Sequence, residues 1–452
     1  MKLNLNSICC AESKKQWEAK GYSLPQYDVA EMRENTKKNP TWVHFGGGNI
    51  FRVFLASRQQ ELLNKGLAKT GIIVGEGFDE EVIEKSYTKY DNLSINVTLK
   101  SEGSVDKEVC ASVAEAYVCS TQRPEWKRFV EVFTNPSLQM VSFTITEKGY
   151  ATTPAYVQAD IQKGPEGCST ICCMVVSLLN ERFKAGKYPI AVVSMDNCSQ
   201  NGAKLFAGIS TIAKTWCEMG LVSQAFVDYL CDPKQVSFPW SMIDKITPRP
   251  DATVAETLKA DDIDDLDVVV TAKRSFVAPF VNAEECEYLV VEDIFPNGRP
   301  CLEKAGVYFT NRDTVTKVER MKVCTCLNPL HTAMSLMGCL LGYTRICDEM
   351  KDEDIVAYIK RLGYVEGLPV VTDPGILSPK SFIDDVVYKR LPNPFMPDTP
   401  QRIATDTSQK LAIRFGETYK EYKANGLDLA NLKAIPVVLA SFIRYILGVD
   451  DN

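Results

Sequence analysis

Histidine is almost missing from this sequence, with two in 452 residues. A catalytic zinc takes three protein ligands and favours imidazole, so a zinc mechanism starts with few of them. Sixteen cysteines are present. The close groups Cys168, Cys172, Cys173 and Cys324, Cys326 nevertheless lack the paired Cys-x-x-Cys spacing of a structural zinc site. No metal is expected. Basic excess is also lacking: the net charge is -7, whereas nucleic-acid binding needs a basic footprint. The first residues, MKLNLNSICCAESKKQWEAKG, lack the apolar core of a signal peptide. The longest apolar run near the end, Ala434 to Val449, is interrupted by Arg444 and Tyr445 and falls short of a membrane span. No repeat or low-complexity segment occurs. The expectation is a cytoplasmic chain with reduced thiols, many of them buried as small hydrophobes, and with neither nucleic acid nor membrane as partner.

What is present suits large cores and two or three domains: 45% hydrophobic and 24% charged residues over a length that supports them. Residues 1–40 read as a polar helical extension. From Thr41 the pattern alternates, with strands at Thr41–Phe45, Gly71–Val74, Leu93–Leu99, Gln139–Thr146 and Ile190–Ser194, and helices at Arg52–Lys65 and Thr170–Ala185. Alternation of this kind predicts an α/β domain with a largely parallel sheet. Irregular, proline-containing stretches follow at Phe238–Pro250 and Phe295–Pro300. Helices are then predicted at Thr316–Tyr343, Asp352–Leu362, Pro379–Lys389, Pro400–Gly416 and Asn431–Leu447. The expected organisation is a Rossmann-like, nucleotide-binding domain over residues 1–285 and a mainly helical one over 286–452, with the active site in a cleft between them.

Chemistry concentrates in Lys322-Val-Cys-Thr-Cys-Leu-Asn328-Pro-Leu-His331. Leu327, Leu330, Ala333, Met334, Met337, Leu340 and Leu341 recur at helical spacing, which predicts a buried helix. An ammonium, an amide and an imidazole at the head of such a helix cost several kcal/mol unless each finds a partner. A second signal is Trp42-Val-His-Phe-Gly46-Gly47-Gly48-Asn49-Ile-Phe51-Arg52, a glycine cluster between strand and helix. Glycines there let backbone N–H groups approach a pyrophosphate at a helix N-terminus. The third glycine of that fingerprint is absent, and Phe51 stands in its place. Gly-rich turns also serve purely steric ends. The next strand ends in Gly75-Glu76-Gly77-Phe78-Asp79. A carboxylate there can accept the adenosine ribose hydroxyls and favour NAD, with Glu76 the first candidate and Asp79 the reserve. A solvated turn carboxylate is the alternative. Thr144-Ile-Thr146-Glu147-Lys148-Gly149-Tyr150 and Ser194-Met-Asp196-Asn197 follow predicted core strands, at the edge that faces the ligand crevice of an open α/β sheet.

Taken with Met242-Ile-Asp244-Lys-Ile-Thr-Pro248 and Glu292-Asp293-Ile-Phe-Pro-Asn-Gly-Arg299-Pro300, these motifs resemble the polyol-specific long-chain dehydrogenases, the mannitol dehydrogenase family. The likeness runs in order from about Trp42 to Lys410. It implies NAD-dependent, metal-independent oxidation of a secondary alcohol or reduction of the matching ketone. It further implies that Gly46, Gly48, Asn49, Phe51, Arg52, Glu76, Thr146 and Glu147 hold the cofactor. Lys322 would be the general base or acid, and Asn328 and Asn197 the amide donors to the reacting oxygen. His331 would orient substrate and Glu319 exchange protons with solvent, although an exposed helix carboxylate reads equally well for Glu319. Asp244, Arg390 and Lys410 would contact substrate. A lysine serving as base near neutrality would need a lowered pKa.

The wording Cys-Leu-Asn-Pro-Leu-His resembles the branch that interconverts fructuronate and mannonate. Mannitol or other polyol 2-dehydrogenases and tagaturonate reductases are the alternatives within the family. A catalytically silent nucleotide- or sugar-binding sensor is the alternative outside it. One departure favours the sensor: lysine and asparagine lie six residues apart, where five is usual. An added residue rotates Lys322 by about 100° on a regular helix. Pro329, however, cannot donate to the carbonyl of Thr325, and a π-type bulge there would absorb the extra residue.

Overall fold

The computed structural model describes residues 1–448. Residues 449–452, including Val449 of the C-terminal apolar run and the end of the predicted helical domain, lie outside the described residues. The chain clusters into two units. The first comprises Met1–Thr98, Asp106–Ala283 and Glu287–Arg312; the second comprises Leu99–Val105, Glu284–Cys286 and Asp313–Asn452.

Six strands of the first unit form one sheet: β1 Trp42–Phe45, β2 Ile72–Glu76, β3 Val113–Val118, β4 Met140–Phe143, β5 Ile190–Ser194 and β6 Val236–Ser237. They are ordered β3-β2-β1-β4-β5-β6 and every pairing is parallel. This is the strand order of the dinucleotide-binding fold, whose ligand crevice opens where the order reverses, between β1 and β4. Both faces are covered, which is why the strands read as continuous apolar runs. Val43, Phe45, Ile73, Val141, Phe143 and Val192 belong to one core, shared with helices α2 Ile171–Gly186 and α3 Asn201–Glu218. Trp42, Ile72, Val74, Met140, Ala191 and Val193 belong to another, which takes in Phe51 and Phe54 from the π turn after β1 and Leu62 of helix α1 Ala56–Asn64. Residues that alternate along one strand thus feed opposite cores, as the two-residue period requires.

Three details depart from the expectations. Leu93–Leu99 does form a strand, Ser94–Leu99, but it lies in a separate four-stranded sheet with Tyr22–Ser23, Val105–Cys110 and Phe280–Glu284. The Phe238–Pro250 stretch is not wholly irregular. It contains β7 Ser241–Asp244, paired antiparallel with β8 Tyr288–Glu292, which in turn pairs in parallel with β9 Tyr308–Thr310. Residues 1–40 form three helices and a short strand, and they share the interior: Trp17 is fully buried and Tyr22 pairs with Lys107.

The second unit is helical. Its predicted Thr316–Tyr343 helix is broken into α4 Arg312–Met321, a π turn at Lys322–Cys326 and α5 Asn328–Leu340. The apolar stripe of α5 is buried through Met334 and Leu336, whereas Leu341 is exposed. The Arg312–Leu340 run is long and apolar enough to cross a membrane by length and composition, yet most of it is buried inside the fold. The predicted Pro400–Gly416 helix is also interrupted, by a 3-10 turn at Thr407–Gln409 and a π turn at Ala412–Gly416. All sixteen cysteines are free, and nine of them are buried, which is packing behaviour.

Candidate active site

In the first unit the chain leaves β1 through Gly46, whose N–H donates to the Gly75 carbonyl (3.0 Å). Gly46 has φ +102°, and a Cβ there would collide with the Thr144 carbonyl oxygen. Only glycine suits such a close approach of two backbones. Below the turn, His44 is fully buried and stacked on Phe51 (4.2 Å between ring centroids). Its Nδ1 meets Ser142 Oγ (2.7 Å) and its Nε2 meets Thr144 Oγ1 (2.9 Å). Burial pushes the imidazole down to about 3, so it is neutral at physiological pH. Phe51 is likewise fully buried. Its ring packs on His44 beneath the glycine turn, and Phe51 is not among the residues that line the cavity beside that turn. The helix that follows the turn contains a π turn, Phe51–Leu55, before α1 Ala56–Asn64.

A cavity of about 420 Å³ lies against this turn, lined by Gly46, Gly47, Gly48, Asn49, Arg52, Glu76, Asp79, Thr144 and Thr146, among others. Arg52 is buried. One guanidinium nitrogen, Nη1, donates to the Ala278 carbonyl (2.9 Å). Its Nε and Nη2 are buried without a partner. A desolvated cation with unspent donors on a cavity wall calls for an anion. The glycine turn and this guanidinium therefore fit a dinucleotide's phosphates. Glu76 lines the same cavity, but its carboxylate is turned to internal use: Oε2 accepts from Gly47 N (3.0 Å), and Oε1 from Phe78 N (2.9 Å) and Asp79 N (3.2 Å). Asp79 accepts from Thr271 Oγ1 (2.7 Å). Glu76 thus shapes the β2 turn, besides any bond it makes to ribose.

A smaller cavity of about 280 Å³ is lined by Ile50, Thr144, Thr146, Glu147, Met195, Asp196, Asn197, Ile243, Lys245 and Thr247. The Ser194–Asn197 segment builds one side of it, supported by Asn201 and Gly202 at the start of α3. Ser194 Oγ meets Tyr150 OH (2.7 Å). Asn201 Nδ2 donates to the Asp196 carbonyl (3.0 Å) and to Ser241 Oγ (2.9 Å), while its Oδ1 accepts from Ser241 N (3.0 Å). A Cβ on Gly202 would meet the Phe238 and Pro239 carbonyls. Asn197 is exposed, on the cavity wall. Glu147 is exposed and paired with Lys204 (2.7 Å). Asp244 is buried in β7. Sequence reasoning did not single out Lys245, Thr247 or Arg249, which also line these cavities. The Met242–Pro248 pattern contains the first two and was their only signal.

In the second unit the expected bulge is present. Leu327 N donates to the Lys322 carbonyl (3.1 Å), five residues back, and His331 N restarts the α-helical pattern on the Leu327 carbonyl (3.0 Å). Pro329 stands where an N–H would otherwise have continued a regular helix. Lys322 is buried, Asn328 is half-buried at the first position of α5, and Glu319 is half-buried in α4. His331 lies 3.8 Å from Asp398. Burial drives its imidazole down to about 4; Asp398 opposes this, and Arg390, Arg402 and Arg414 reinforce it. Arg390 is buried at the end of another π turn, Val386–Arg390, and its Nε donates to the buried Glu284 (2.7 Å). Lys410 is ion-paired with Asp406, a surface pairing one helical turn long. Among the described residues no group of three or more His, Cys, Asp or Glu is placed to hold a metal ion.

Comparison with known proteins identifies the family and agrees with the fold. Residues 40–304 match the mannitol dehydrogenase Rossmann domain, and residues 314–452 match the mannitol dehydrogenase C-terminal domain. A D-mannonate oxidoreductase of Thermotoga maritima is 51% identical, over 100% of this chain and 84% of its own. A polyol:NADP oxidoreductase of Gluconobacter oxydans is 30% identical, over 95% and 83%. Among solved structures, the mannitol 2-dehydrogenase of Pseudomonas fluorescens, in ternary complex with NAD and D-mannitol, has a TM-score of 0.73 at 25% identity and covers 100% of this chain and 85% of its own. A substrate-free D-sorbitol dehydrogenase has a TM-score of 0.79 at 26% identity, covering 95% and 84%. With both family domains matched in order along the chain, this protein belongs to the mannitol dehydrogenase family and is an oxidoreductase.

Proposed function

We propose that this protein interconverts D-mannonate and D-fructuronate, using NAD and no metal. The observation that carries the substrate assignment is the 51% identity to a D-mannonate oxidoreductase along the whole chain. In this reading residues 1–285 carry the cofactor and residues 286–452 the catalytic lysine. Bound NAD would supply the hydride acceptor for oxidation of the alcohol carbon, and NADH the donor for the reverse reaction. Gly46, Gly48, Asn49 and the buried Arg52 hold its phosphates, with Glu76, Thr146 and Glu147 along the same crevice.

The protein's own residues handle the proton and the charge. Lys322 takes the hydroxyl proton during oxidation and returns it during ketone reduction, a role worth about 10²–10⁴-fold. Asn328 and Asn197 donate to the reacting oxygen as charge develops on it. His331, held neutral at physiological pH by burial, orients the substrate without adding a charge. Glu319 passes the proton to solvent. Arg390 takes the sugar-acid carboxylate through parallel bonds, with Asp244 and Lys410 on the hydroxyls. The π turn at Lys322 supports an active lysine over a silent sensor, because it accommodates the sixth residue without unfolding the helix. A cytoplasmic setting is part of the same reading.

The second reading, a mannitol or other polyol 2-dehydrogenase, is favoured by the sugar alcohols named for the two solved relatives; a tagaturonate reductase is the third. NADH-dependent reduction of fructuronate, tagaturonate and fructose by one preparation separates them. Fructuronate is expected to give the highest kcat/KM, and reduction of fructose without activity on either uronate overturns the assignment.

A further inference from the structure

Thr146 has φ +67° and ψ 156°, a region populated almost only by glycine. For a β-branched residue this is a genuine outlier, so the surrounding structure must impose it. Thr146 lies in the exposed turn after β4, where a packed side chain cannot impose the conformation. What grips the turn is a single carboxylate from the end of the neighbouring strand. Asp196 Oδ1 accepts from Thr146 N (2.8 Å), Asp196 Oδ2 accepts from Ile145 N (3.1 Å), and the same carboxylate accepts from Tyr150 OH. Asp196 is itself fixed: it is buried, and its carbonyl accepts from Asn201 Nδ2 (3.0 Å). The held turn has a defined place. Thr144 and Thr146 line both the 280 Å³ and the 420 Å³ cavities, and Asn197 follows Asp196 directly on the wall of the smaller one.

We propose that Asp196 is a positioning residue that clamps Thr146 in this conformation, and so sets both the wall shared by the two cavities and the backbone that presents Asn197. The inference rests on the dehydrogenase reading for its effect on turnover, but not for its effect on the turn. An Asp196→Asn variant replaces one acceptor oxygen with an NH2 group that faces a backbone N–H. Its kcat for NADH-dependent uronate reduction is expected to fall by about a hundredfold, the scale of small misplacements, with the KM for NADH changing far less. Glycine adopts the Thr146 conformation without strain. The double variant D196N/T146G is therefore expected to recover about tenfold of that loss, a rescue that a general packing defect would not show.

Two readings need no turnover. In cofactor-free protein, backbone amide exchange over residues 144–150 should accelerate in D196N while β5 remains protected. T146G alone should raise the thermal midpoint, because it removes strain from an exposed position. Unchanged exchange in D196N, a lowered midpoint in T146G, or a double variant no better than D196N overturns the clamp. Wild-type protein that reduces none of the three sugars would overturn the functional reading instead, and the exchange and melting measurements would still decide this one.

Discussion

Glu349 offers a sharp test of how burial controls charge in the helical unit. It closes the short helix α6 Ile346–Glu349 and is fully buried, with neither carboxylate oxygen hydrogen-bonded. Its carboxyl packs onto Gly338 of α5, where any Cβ would collide with it. Among the described residues no cation compensates it, and burial raises its pKa from 4.5 to about 8. The carboxyl is therefore protonated in the folded protein at neutral pH and ionised in the unfolded chain. Because the folded-state value is the raised one, the unfolded state holds fewer protons between pH 4.5 and 8, and stability falls as pH rises through that window. At about 1.36 kcal/mol per unit, the shift amounts to at most about 5 kcal/mol. Glu349→Gln keeps the volume and removes the titration. Its unfolding free energy, minus that of the wild type, should be level below about pH 4.5, climb with pH by up to about 1.4 kcal/mol per unit, and level off above about pH 8. Urea titrations at closely spaced pH values provide the curve. The unpaired amide adds an offset that does not vary with pH, so the slope isolates the carboxyl. Both histidines have lowered values and destabilise the wild type as pH falls below their unfolded value, but they cancel in the difference. A flat difference curve would refute the reasoning outright.

Two further substitutions probe the active-site assignments. Lys322→Ala should lower kcat by about 10²–10⁴-fold with the fold intact by circular dichroism, and undiminished turnover would remove the lysine from the chemistry. Arg52→Met keeps much of the buried bulk while deleting the partnerless guanidinium nitrogens. NADH affinity, read by quenching of tryptophan fluorescence, should fall by about 10–100-fold, the scale of a charge-assisted hydrogen bond; unchanged affinity would mean that the cavity's anion lies elsewhere.

Four of the sheet's six strands were legible as short apolar runs set between helices and polar turns, with Gly46–Gly48 marking the first crossing, whereas Val113–Val118 and the two-residue Val236–Ser237 were not predicted. The pairing partners were less legible. Ser94–Leu99 alternates polar and apolar residues where the parallel strands are mostly apolar, but which sheet it joins is shown only by the folded chain. Ser241–Asp244 was hidden by its neighbours Pro239 and Trp240, which gave the segment the look of a loop. The side chains of the active-site segments could be named from motifs, but their duties could not. Glu76 stands at the expected strand end, yet its oxygens serve three backbone amides. Phe51 occupies the missing glycine's place, yet its ring turns inward to His44. Asp196 looked like part of a pattern, while its grip on Thr146 depends on two strands that are distant in sequence and adjacent only in the sheet.

The π turns carry the same lesson to the helices. Arg52 lies within one, Lys322 begins another and Arg390 ends a third. Each widened turn holds one residue more than an α-turn, and so redirects the side chains on one side of it by about 100° relative to those on the other. A one-residue insertion in a buried helix would otherwise rotate every following apolar side chain out of the core. Confining it to a single π turn keeps Leu330, Ala333 and Met334 fully buried, with the residues up to Met321 still in helical register. The six-residue interval between Lys322 and Asn328 is therefore compatible with an intact core on both sides of it. A spacing that looks like a broken motif in one dimension is a local change of helical pitch in three, which is why the interval alone could not decide between an enzyme and a silent relative.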